Sequence, residues 1–424
     1  MMKILLVHNR YQQRGGEDAA YEQERELLES HGHQVVAYER NNTELLDHSL
    51  FQRLVMPIKT TWAWDTYHEI LDLVRKEKPH IAHVHNTFVQ ISPSVFAACR
   101  AEGVPVVQTL HNFRLICPAA TLFRDGKVCE ECLESGLWQG VRHACYRDSF
   151  AATGATALML TVHRTAGTWS KGVTGYIALS EFSKRKFVRA GWPSEKIHVK
   201  PNFVAPDPGP KQEFGHGAVY VGRLSPEKGL KTLLQAWHRL RTSIPLQIIG
   251  DGPMRAELQQ MVSQSNLSDV LFTGLLSSEE TRSRIRSARL LVLPSECYEN
   301  FPMTVVEAFS CGTPVVCSRL GAMQEIVNDH SNGLHFAPGQ PEDLARTLEW
   351  AWSNPPRLQA LGKAARRDYE LKYTAARNYA ALMAIYQQVL ERPMDECRLT
   401  VPNYPTPIVS RQPAIDPTII RNPR

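Results

Sequence analysis

The sequence predicts an α/β protein built from two similar halves, each with a doubly wound, mostly parallel sheet. One reason is length, because 424 residues exceed what a single hydrophobic core usually supports. Another is the alternation of short apolar runs with amphipathic stretches, which is typical of strand–helix–strand units. This alternation begins at residues 3–8, stops in a proline- and glycine-rich stretch at 203–217, and restarts at 218–224.

The same pattern divides the chain into parts. We expect a first domain at 1–203 with a cysteine-rich insertion at 117–145, a second domain at 204–373, a long helix at 374–398 and a tail at 399–424. The tail carries six prolines and no periodicity, which predicts an extended or disordered segment.

Composition and charge exclude some classes of protein. Hydrophobic residues make up 43% of the chain and charged residues 21%, which is typical of a globular domain. The net charge of +5 is too small for a dedicated nucleic-acid binder, so we expect no nucleic-acid partner. This charge fits a phosphorylated substrate or an anionic membrane surface, and equally an ordinary surface imbalance.

The start of the chain and its apolar segments predict a cytoplasmic protein. Residues 1–9 enter a strand pattern at once and lack the apolar region and cleavage site of a signal peptide. The best candidate for a membrane span, 151–162, is too short and is closed by His163 and Arg164. In the cytoplasm, the nine cysteines are expected to be thiols or metal ligands rather than disulfides.

The first half opens with a strand, a glycine-containing turn and a helix. The turn reads Arg14-Gly15-Gly16-Glu17-Asp18, and the helical pattern runs to Glu29. It lacks the Gly-x-Gly-x-x-Gly spacing of a dinucleotide site. Gly15 and Gly16 either allow the backbone to approach a ligand at the helix N-terminus or serve a tight turn only.

Histidines lie within or just after several predicted strands. His111 follows the apolar strand at 104–110, so in a doubly wound sheet it would face the cleft between the halves. The rivals of His111 are His8, His83 and His85. The position after the fourth strand favours His111.

Four cysteines of the first half form a compact set in the sequence. They are Cys117, Cys129, Cys132 and Cys145, with a Cys-x-x-Cys knuckle in the middle. Four thiolates suit a tetrahedral structural zinc ion. The alternatives are buried free cysteines or an iron–sulfur cluster. Residues 122–128 between them predict a small hairpin with an Asp-Gly turn.

A helix is predicted at 150–170, with basic residues just before it and toward its end. These are Arg142, His143, Arg147, His163, Arg164 and Lys171. They either form a face for a lipid ligand or the inner leaflet of a membrane, or belong to an ordinary amphipathic helix that packs on the domain. We favour the second interpretation.

The second half repeats the strand–turn–helix pattern and places two cations at its first turn. Arg223 ends the strand, and Lys228 comes just before the helix. A guanidinium and an ammonium beside a helix N-terminus are placed to neutralise a diphosphate. The glycines of this turn and of the turn after the next strand are Gly222, Gly250 and Gly252.

Two glutamates mark the stretch around which the second half is organised. Glu299 and Glu307 stand eight positions apart, after an apolar strand at 290–294 and near the start of a helix that Pro302 introduces. Both acids are therefore expected at the carboxyl end of a parallel sheet, where open α/β folds bind ligands. A carboxylate there can accept two sugar hydroxyls, and the helix N-terminus favours a phosphate.

This ordered set of motifs resembles the retaining glycosyltransferases of family 4, which have the GT-B fold. The matching segments are Gly222-Arg223-Leu224 with Lys228-Gly229, the pair Glu299 and Glu307, Cys311-Gly312-Thr313-Pro314-Val315-Val316, and Gly321 with Glu325. The resemblance implies an acceptor-side Rossmann-like domain, a nucleotide-sugar-binding one facing it across a cleft, and a C-terminal helix that crosses back to the first domain.

The resemblance also implies roles for individual residues. Arg223 and Lys228 meet the diphosphate. Glu307 takes the ribose hydroxyls, Glu299 holds the donor sugar with the backbone after it, and His111 contacts that sugar. The catalytic set is then Arg223, Lys228, Glu299 and His111, and the other donor-binding residues are Glu307, Gly15, Gly16, Gly222, Gly250, Gly252, Asn202, Asn300, Phe301 and Thr304.

The implied reaction moves a sugar from a UDP- or GDP-sugar to a glycan or a lipid-linked glycan, with retention of anomeric configuration. Relatives in exopolysaccharide and lipopolysaccharide pathways imply a cytoplasmic enzyme, with peripheral contact to the inner membrane as a further expectation. Two cations take the place of a divalent metal, so no catalytic cofactor is expected. Many relatives have Phe-Gly where this chain has Phe301-Pro302, and proline cannot donate an N–H to the donor sugar.

Two other functions remain open from the sequence. A nucleotide-sugar epimerase or hydrolase on the same fold would need no sugar acceptor. A non-catalytic binding module would instead use the cysteine set to dock a partner.

Overall fold

The computed structural model describes residues 1–12, 15–47 and 50–392. The predicted tail at 399–424 and the end of the predicted long helix lie outside these residues. The described part contains two six-stranded parallel sheets and one two-stranded hairpin. This is the α/β architecture with two Rossmann-like halves that the sequence predicts.

The first lobe contains a parallel sheet and the small hairpin. Its strands are β1 Lys3–Arg10, β2 Gln34–Asn41, β3 Ile81–Asn86, β4 Val106–Leu110, β5 Phe123–Arg124, β6 Lys127–Val128, β7 Gly175–Ala178 and β8 Ile197–Val199. The sheet has the order β2-β1-β3-β4-β7-β8, and β5 pairs with β6. Strands β3 and β4 are buried throughout, as expected for strands covered by helices on both faces.

Nine helices belong to the described part of this lobe. They are α1 Gly16–Ser30, α2 Leu50–Thr61, α3 Trp64–Glu77, α4 Ser94–Ala101, α5 Glu131–Ser135, α6 Trp138–Arg142, α7 Phe150–Thr165, α8 Thr168–Gly172 and α9 Glu181–Arg189. Short 3₁₀ turns occupy Asn42–Asp47 and Ser194–Lys196. Ser180 caps α9 by accepting a hydrogen bond from the Ser183 N–H, as the sequence predicts.

The second lobe also contains a six-stranded parallel sheet. Its strands are β9 His216–Val221, β10 Leu246–Ile249, β11 Val270–Gly274, β12 Ala288–Leu293, β13 Val315–Ser318 and β14 Gly333–Phe336. They form a parallel sheet in the order β11-β10-β9-β12-β13-β14. The strand order reverses between β9 and β12, and in the first lobe between β1 and β3. At such a reversal the loops leave a crevice at the carboxyl edge of the sheet.

Helices cover both faces of the second sheet. They are α10 Leu230–Arg239, α11 Arg255–Gln264, α12 Ser278–Ser287, α13 Met303–Ser310, α14 Gly321–Ile326, α15 Pro341–Ser353, α16 Pro355–Lys372 and α17 Ala375–Glu391, with a 3₁₀ turn at Pro226–Lys228. Helix α13 begins directly after Pro302 and stops where Gly312 takes a φ of +66°. A residue without a Cβ adopts this left-handed conformation without strain, which ends the helix.

The last helix, α17, packs on the first lobe. The Tyr386 hydroxyl lies 2.7 Å from Nδ1 of His83 in β3. The Asn378 amide donates to the Pro201 carbonyl at 2.6 Å, and its oxygen accepts from Nζ of Lys200 at 3.2 Å. The predicted crossing of the C-terminal helix back to the first domain is therefore confirmed.

Two local features differ from the sequence prediction. The helix predicted at 150–170 is divided into α7 and α8, because Gly167 adopts a φ of +70° between them. Helix α2 was not predicted; Pro57 lies inside it and weakens the helical signal. None of the described helices is both long and apolar enough to cross a bilayer.

A buried ion pair joins three elements at the base of the first lobe. Nζ of Lys200, whose residue is 1% exposed, lies 2.7 Å from Oε2 of Glu24 in α1. Burial alone would raise the pKa of the Glu24 carboxyl, but Lys200 and His83 lower it well below its usual value. The pair therefore stays charged and holds the end of β8 against α1 and α17.

Removing one partner of this pair should be costly. We expect Lys200→Met to lower the free energy of unfolding by about 3–5 kcal/mol, because Glu24 would remain as an uncompensated buried charge. Lys59→Met is the matched control, since the pair of Lys59 with Asp65 lies at the surface and should change stability by less than about 1 kcal/mol. Urea unfolding measures both. Equal effects of the two substitutions would contradict a structural role for the buried pair.

Candidate functional site

The candidate site forms where the strand order reverses in the second sheet. Strands β9 and β12 are parallel neighbours, so the turn after β9 and the loop after β12 meet at one edge. The turn carries Arg223 and Lys228, and the loop carries Glu299. The backbone joins them directly, since the Glu296 N–H donates to the Glu227 carbonyl at 2.9 Å.

Lys228 and Glu299 form an ion pair at this edge. Nζ of Lys228 lies 2.7 Å from Oε1 of Glu299, which also accepts the Ser295 hydroxyl at 2.6 Å. Burial alone would lower the pKa of Lys228, but Glu299 raises it above its usual value. Burial would likewise raise the pKa of Glu299, yet Lys228 and Ser295 lower it. Both groups are therefore charged at neutral pH.

Arg223 and Glu307 are the uncommitted charges of the site. Arg223 is exposed, and within the described part of the chain its guanidinium has no hydrogen-bond or ion-pair partner. The Glu307 carboxyl in α13 is half-buried and has no hydrogen-bond partner among the described residues. Burial raises its pKa, and Arg282 only partly offsets this effect. A cation and an acid without partners are available to a ligand.

Three predicted donor-binding glycines have a clear packing role. A Cβ on Gly250 would lie 2.0 Å from the Gly222 carbonyl oxygen, and a Cβ on Gly252 would lie 2.4 Å from the Leu224 carbonyl oxygen. Gly250 also adopts a φ of +139°, where side chains are strained. These glycines allow the turns after β9 and β10 to pack backbone against backbone beside Arg223.

Gly15 and Gly16 differ from those three. Neither has a positive φ, and a Cβ added at Gly15 or Gly16 would lie 4.0 Å or 3.9 Å, respectively, from its nearest heavy atom. The nearest atom at Gly16 belongs to Met303, the first residue of α13 in the other lobe. Packing therefore does not require glycine at either position. A Cβ at Gly16 would make ordinary van der Waals contact with the helix that carries Glu307.

His111 belongs to a buried chain of polar side chains in the first lobe. Its Nε2 lies 2.9 Å from Nδ1 of His85, and Nε2 of His85 lies 3.3 Å from Oε1 of Glu24. Burial lowers the pKa of His85 to about 3 and lowers the pKa of His111 well below its usual value. Both imidazoles are therefore neutral at physiological pH.

One hydrogen bond joins the two rings, and each neutral imidazole carries a single proton. Nε2 of His85 and Oε1 of Glu24 have no hydrogen-bond partner among the described residues, so their contact at 3.3 Å leaves open which ring donates. A cavity lined by His111, Asn112 and Glu17 adjoins the ring of His111. The Nδ1 atom of His111, which His85 does not use, is available for a hydrogen bond with a ligand there.

The rival histidines have structural partners. Nε2 of His8 lies 2.8 Å from the Asp18 carboxylate, which also accepts the Gly15 N–H at 2.8 Å. His83 contacts Tyr386 and the Thr109 hydroxyl. Both rings are fully buried.

Several contacts across the cleft involve predicted site residues. The Asn300 amide donates to the Leu110 carbonyl, directly before His111, at 2.5 Å. Glu325 accepts the N–H groups of Glu181 and Phe182 at the start of α9, at 2.8 Å and 2.6 Å. Asn300 and Glu325 thus hold the lobes together.

Three further residues were predicted to bind the donor, and they differ in burial and in location. Phe301 is buried against Tyr373, with ring centroids 6.1 Å apart. Asn202 is buried after β8, and Thr304 is half-buried in the first turn of α13.

Most of the basic residues considered around 150–170 lie at the surface. Only His163 is buried, and it contacts the Thr61 carbonyl at 2.7 Å. The exposed ones are Arg142, His143, Arg147, Arg164 and Lys171. The Arg164 guanidinium also donates to the Leu115 carbonyl at 2.7 Å. Helix α7 exposes apolar side chains as well, those of Phe150, Leu158 and Val162.

Two clusters contain residue types that bind metals. Among the described residues, ligand atoms of Glu24, His83 and His85 all lie within 4.8 Å of one another. The Lys200 ammonium already neutralises Glu24 there, which disfavours a divalent ion.

The predicted cysteine set is the other cluster, and its thiols are free. The predicted hairpin between them is present as β5 and β6, with Asp125 and Gly126 both at positive φ.

Sequence reasoning missed three polar residues with roles in this site. Glu24 lies among the buried residues of α1, and a glutamate on an apolar helix face is a signal that could have found it. Lys200 and Glu130 left no such signal, because their partners are distant in sequence. Glu130 accepts the Tyr298 hydroxyl at 2.8 Å, across 168 positions.

Two family models match successive parts of the chain. Residues 14–208 match "Glycosyltransferase Family 4", and residues 210–368 match "Glycosyl transferases group 1". Together they cover both lobes. The chain belongs to the family 4 glycosyltransferases.

Characterised family members are similar over part of their length. The chain is 30% identical over 175 residues to O-antigen chain mannosyltransferase C of Escherichia coli, which covers 41% of this chain and 47% of that protein. It is also 30% identical over 202 residues to 2-deoxystreptamine glucosyltransferase of Streptomyces kanamyceticus, covering 47% and 51%. The chain thus spans about half the length of the curated relatives it matches.

Solved structures confirm the GT-B fold. HepE from Anabaena in complex with UDP aligns with a TM-score of 0.64 and 18% identity, covering 92% of this chain and 99% of that one. Sucrose-phosphate synthase from Thermosynechococcus elongatus aligns with a TM-score of 0.69 and 19% identity, with the same coverage. At these low sequence identities, the comparisons establish a similarity of fold alone.

The two kinds of glycine should respond differently to an added methyl group. We expect Gly250→Ala to lower the free energy of unfolding by more than about 2 kcal/mol, because of its φ and the clash with Gly222. Gly15→Ala should cost at most about 1 kcal/mol. Its effect should instead be on ligand binding between the lobes. Chemical denaturation and nucleotide-sugar titration measure the two effects, and a large loss of stability in Gly15→Ala would contradict the assignment.

Proposed function

We propose that this protein transfers a hexosyl group from a nucleoside-diphosphate sugar to a hydroxyl of a glycan or lipid-linked glycan in cell-surface polysaccharide synthesis. The observation that carries the proposal is the charge arrangement at the β9/β12 edge. The turn after β9 carries the Lys228 ammonium, paired with Glu299, and the Arg223 guanidinium, which has no partner among the described residues. Helix α13, which follows the loop after the neighbouring strand β12, carries the Glu307 carboxyl.

The two cations fit the diphosphate of the donor. When the bond between sugar C1 and the phosphate oxygen breaks, negative charge grows on the departing diphosphate. Arg223 and Lys228 stabilise that charge more strongly as the bond breaks, which lowers the barrier. Lys228 remains protonated throughout because Glu299 raises its pKa.

The acids fit the rest of the donor. Glu307 offers its carboxyl in α13, where ribose hydroxyls would donate to it. Glu299 is fixed by Lys228 and Ser295, and holds the sugar near the diphosphate. The acceptor hydroxyl then forms its bond to C1 on the face that the diphosphate leaves and passes its proton to the departing phosphate oxygen, so that configuration is retained.

His111 completes the donor pocket from the first lobe. Its Nδ1, the ring nitrogen that His85 does not use, forms a hydrogen bond with a hydroxyl of the donor sugar. Asn300 keeps the neighbouring strand end in place through the Leu110 carbonyl. The sugar would therefore be held between Glu299 and His111.

The acceptor is proposed to be lipid-linked. Similar proteins include an O-antigen chain mannosyltransferase and, at a TM-score of 0.59 and 17% identity, the lipopolysaccharide outer core galactosyltransferase WaaB. The exposed stripe on α7 gives a physical reason, since Phe150 is 66% and Leu158 62% exposed. An apolar stripe of this kind can enter the headgroup region of the inner membrane leaflet, and the net charge of +5 assists binding to anionic lipid.

The proposed catalytic role is tested by substituting Arg223 and by screening a set of sugar nucleotides as donors. Arg223→Ala should leave stability unchanged, because the side chain is exposed, and should lower kcat/KM by about 10²–10³-fold. Arg239→Ala is the control, since Arg239 is an exposed arginine of the same lobe paired with Glu342. UDP-, GDP- and ADP-sugars are screened by thermal shift and by product analysis with and without acceptor glycans.

The outcomes separate the proposed transferase from its rivals. Nucleotide release without an acceptor and without a glycosidic product would identify a hydrolase or epimerase. Unchanged turnover in Arg223→Ala would refute the role of the cations.

The membrane contact is tested by vesicle flotation. The wild-type protein should float with vesicles that contain phosphatidylglycerol, and Leu158→Asn with Val162→Asn should abolish flotation. Leu371→Asn, at an exposed leucine of α16 in the other lobe, should have no effect. If the wild-type protein does not float, or if the α7 variant floats equally well, the proposed contact is wrong.

A further inference from the structure

The cysteine-rich segment 117–145 has little core of its own. Its elements are two strands of two residues and two helices of five residues. Its buried apolar side chains are those of Cys117, Pro118, Leu122 and Leu137. Elements this short do not persist through local hydrogen bonds, and so few buried groups do not fix them. A segment of this kind usually needs a covalent or metal cross-link.

Four thiols converge within this segment, and we call them the cysteine site. Its members are Cys117, Cys129, Cys132 and Cys145. Cys117 interacts with Cys132. Cys145 interacts electrostatically with Cys117, Cys129 and Arg124. The fold thus brings together thiols that are up to 28 positions apart in the sequence.

Backbone contacts also link the parts of the segment that carry these cysteines. The Cys129 N–H donates to the Leu122 carbonyl at 2.8 Å, and the Cys145 N–H donates to the Gly140 carbonyl at 3.1 Å. A Cβ on Gly140 would lie 3.4 Å from Sγ of Cys132 and 3.1 Å from Pro118. Glycine at this position therefore leaves room beside a sulfur atom.

The chemistry of the site fits zinc. Four thiolates and no carboxylate form the donor set, and soft sulfur ligands in a tetrahedron select Zn²⁺ over magnesium or calcium. With Zn–S distances of about 2.3 Å the sulfurs would be about 3.8 Å apart. Among the described residues no three of these sulfurs lie within 4.8 Å of one another, so binding requires side-chain rotations. Three of the four cysteines are only partly buried, which permits such rotations.

The knuckle reaches the donor side of the cleft through Glu130. Oε1 of Glu130 accepts the Tyr298 hydroxyl at 2.8 Å, and Tyr298 directly precedes Glu299. The same carboxylate binds Lys186 and Arg189 of α9. Nζ of Lys186 lies 4.8 Å from the centre of the Tyr298 ring. The segment between two cysteines therefore touches the loop that carries Glu299 of the donor site.

We propose that the cysteine site binds one Zn²⁺ and that the metal fixes the knuckle so that Glu130 positions the loop before Glu299. Glu130 is a positioning residue in this proposal, because it acts through Tyr298. The metal is structural and takes no part in bond cleavage. The effect on the donor site rests on the proposed function, whereas the metal site and its contact with the loop do not.

Metal analysis tests the zinc site. Protein purified under reducing conditions should contain one zinc per chain, and Cys132→Ser should lose it. Cys99→Ser is the control, because Cys99 is buried in α4 away from the site. If Cys132→Ser does not fold, titration of wild-type protein with an organomercurial should release one zinc as four thiols react. The proposal is overturned if the wild-type protein contains no zinc after incubation with Zn²⁺ and gel filtration. It is also overturned if the protein contains stoichiometric iron with absorption near 400 nm, or if the cysteines of the site form disulfides.

Hydrogen exchange tests the positioning without depending on activity. In wild-type protein, removing zinc with a chelator should raise amide exchange in residues 295–302 by about tenfold, and Glu130→Gln should do the same with zinc retained. Glu134→Gln is the matched control, because Glu134 lies in the same segment and binds Arg189 but, among the described residues, has no contact with Tyr298. Unchanged exchange in the loop after both treatments would refute the positioning role.

Enzyme kinetics then separate this inference from the proposed function. Glu130→Gln and Tyr298→Phe should raise the donor KM by about tenfold while zinc content stays at one per chain. If no sugar nucleotide binds the wild-type protein, the proposed function fails but the zinc and exchange results stand. If the wild-type protein is active and neither variant changes the donor KM, the coupling to the donor site is wrong.

Discussion

The ion pair between Lys228 and Glu299 determines the geometry of the candidate site. It joins the turn after β9 to the loop after β12 at the edge where the strand order of the second sheet reverses. Each partner stabilises the charge of the other in a half-buried position, and Ser295 fixes the carboxylate further. Arg223 in the same turn and Glu307 in α13 have no side-chain hydrogen-bond partner among the described residues, so both remain available for a ligand.

The first lobe presents a different kind of electrostatic control. There Glu24 and Lys200 are buried and compensate each other's charge. His85 and His111 stay neutral because burial depresses their pKa values. The second lobe thus offers charged groups, and the first lobe offers a neutral imidazole that can form a hydrogen bond. This arrangement suits a reaction in which charge develops on one part of the donor while another part must only be held.

Much of this organisation could be predicted from the sequence, and the reason is periodicity. Buried parallel strands are continuous apolar runs in the sequence. These runs predicted the two sheets, the interruption at 203–217 and the positions of Arg223 and Glu299 at strand ends. The Asp-Gly hairpin and the Ser180 cap could be predicted because local hydrogen bonds determine them. Predictions failed where a single glycine or proline decided the outcome, as at Gly167, or where the partner was remote. The charge of His163 suggested a surface position, but its ring is buried and contacts the Thr61 carbonyl.

The sequence by itself determined the fold class, the two lobes and the set of groups available for chemistry, because these follow from hydrophobic patterning and motifs within short stretches. Only the tertiary structure decided which of these groups are committed to a partner and which are available to a ligand. Lys228 pairs with Glu299 across 71 positions, His111 contacts His85 across 26 positions, and Glu130 contacts Tyr298 from a separate lobe. Such partnerships depend on distances in space between residues far apart in the chain, and no local pattern encodes them.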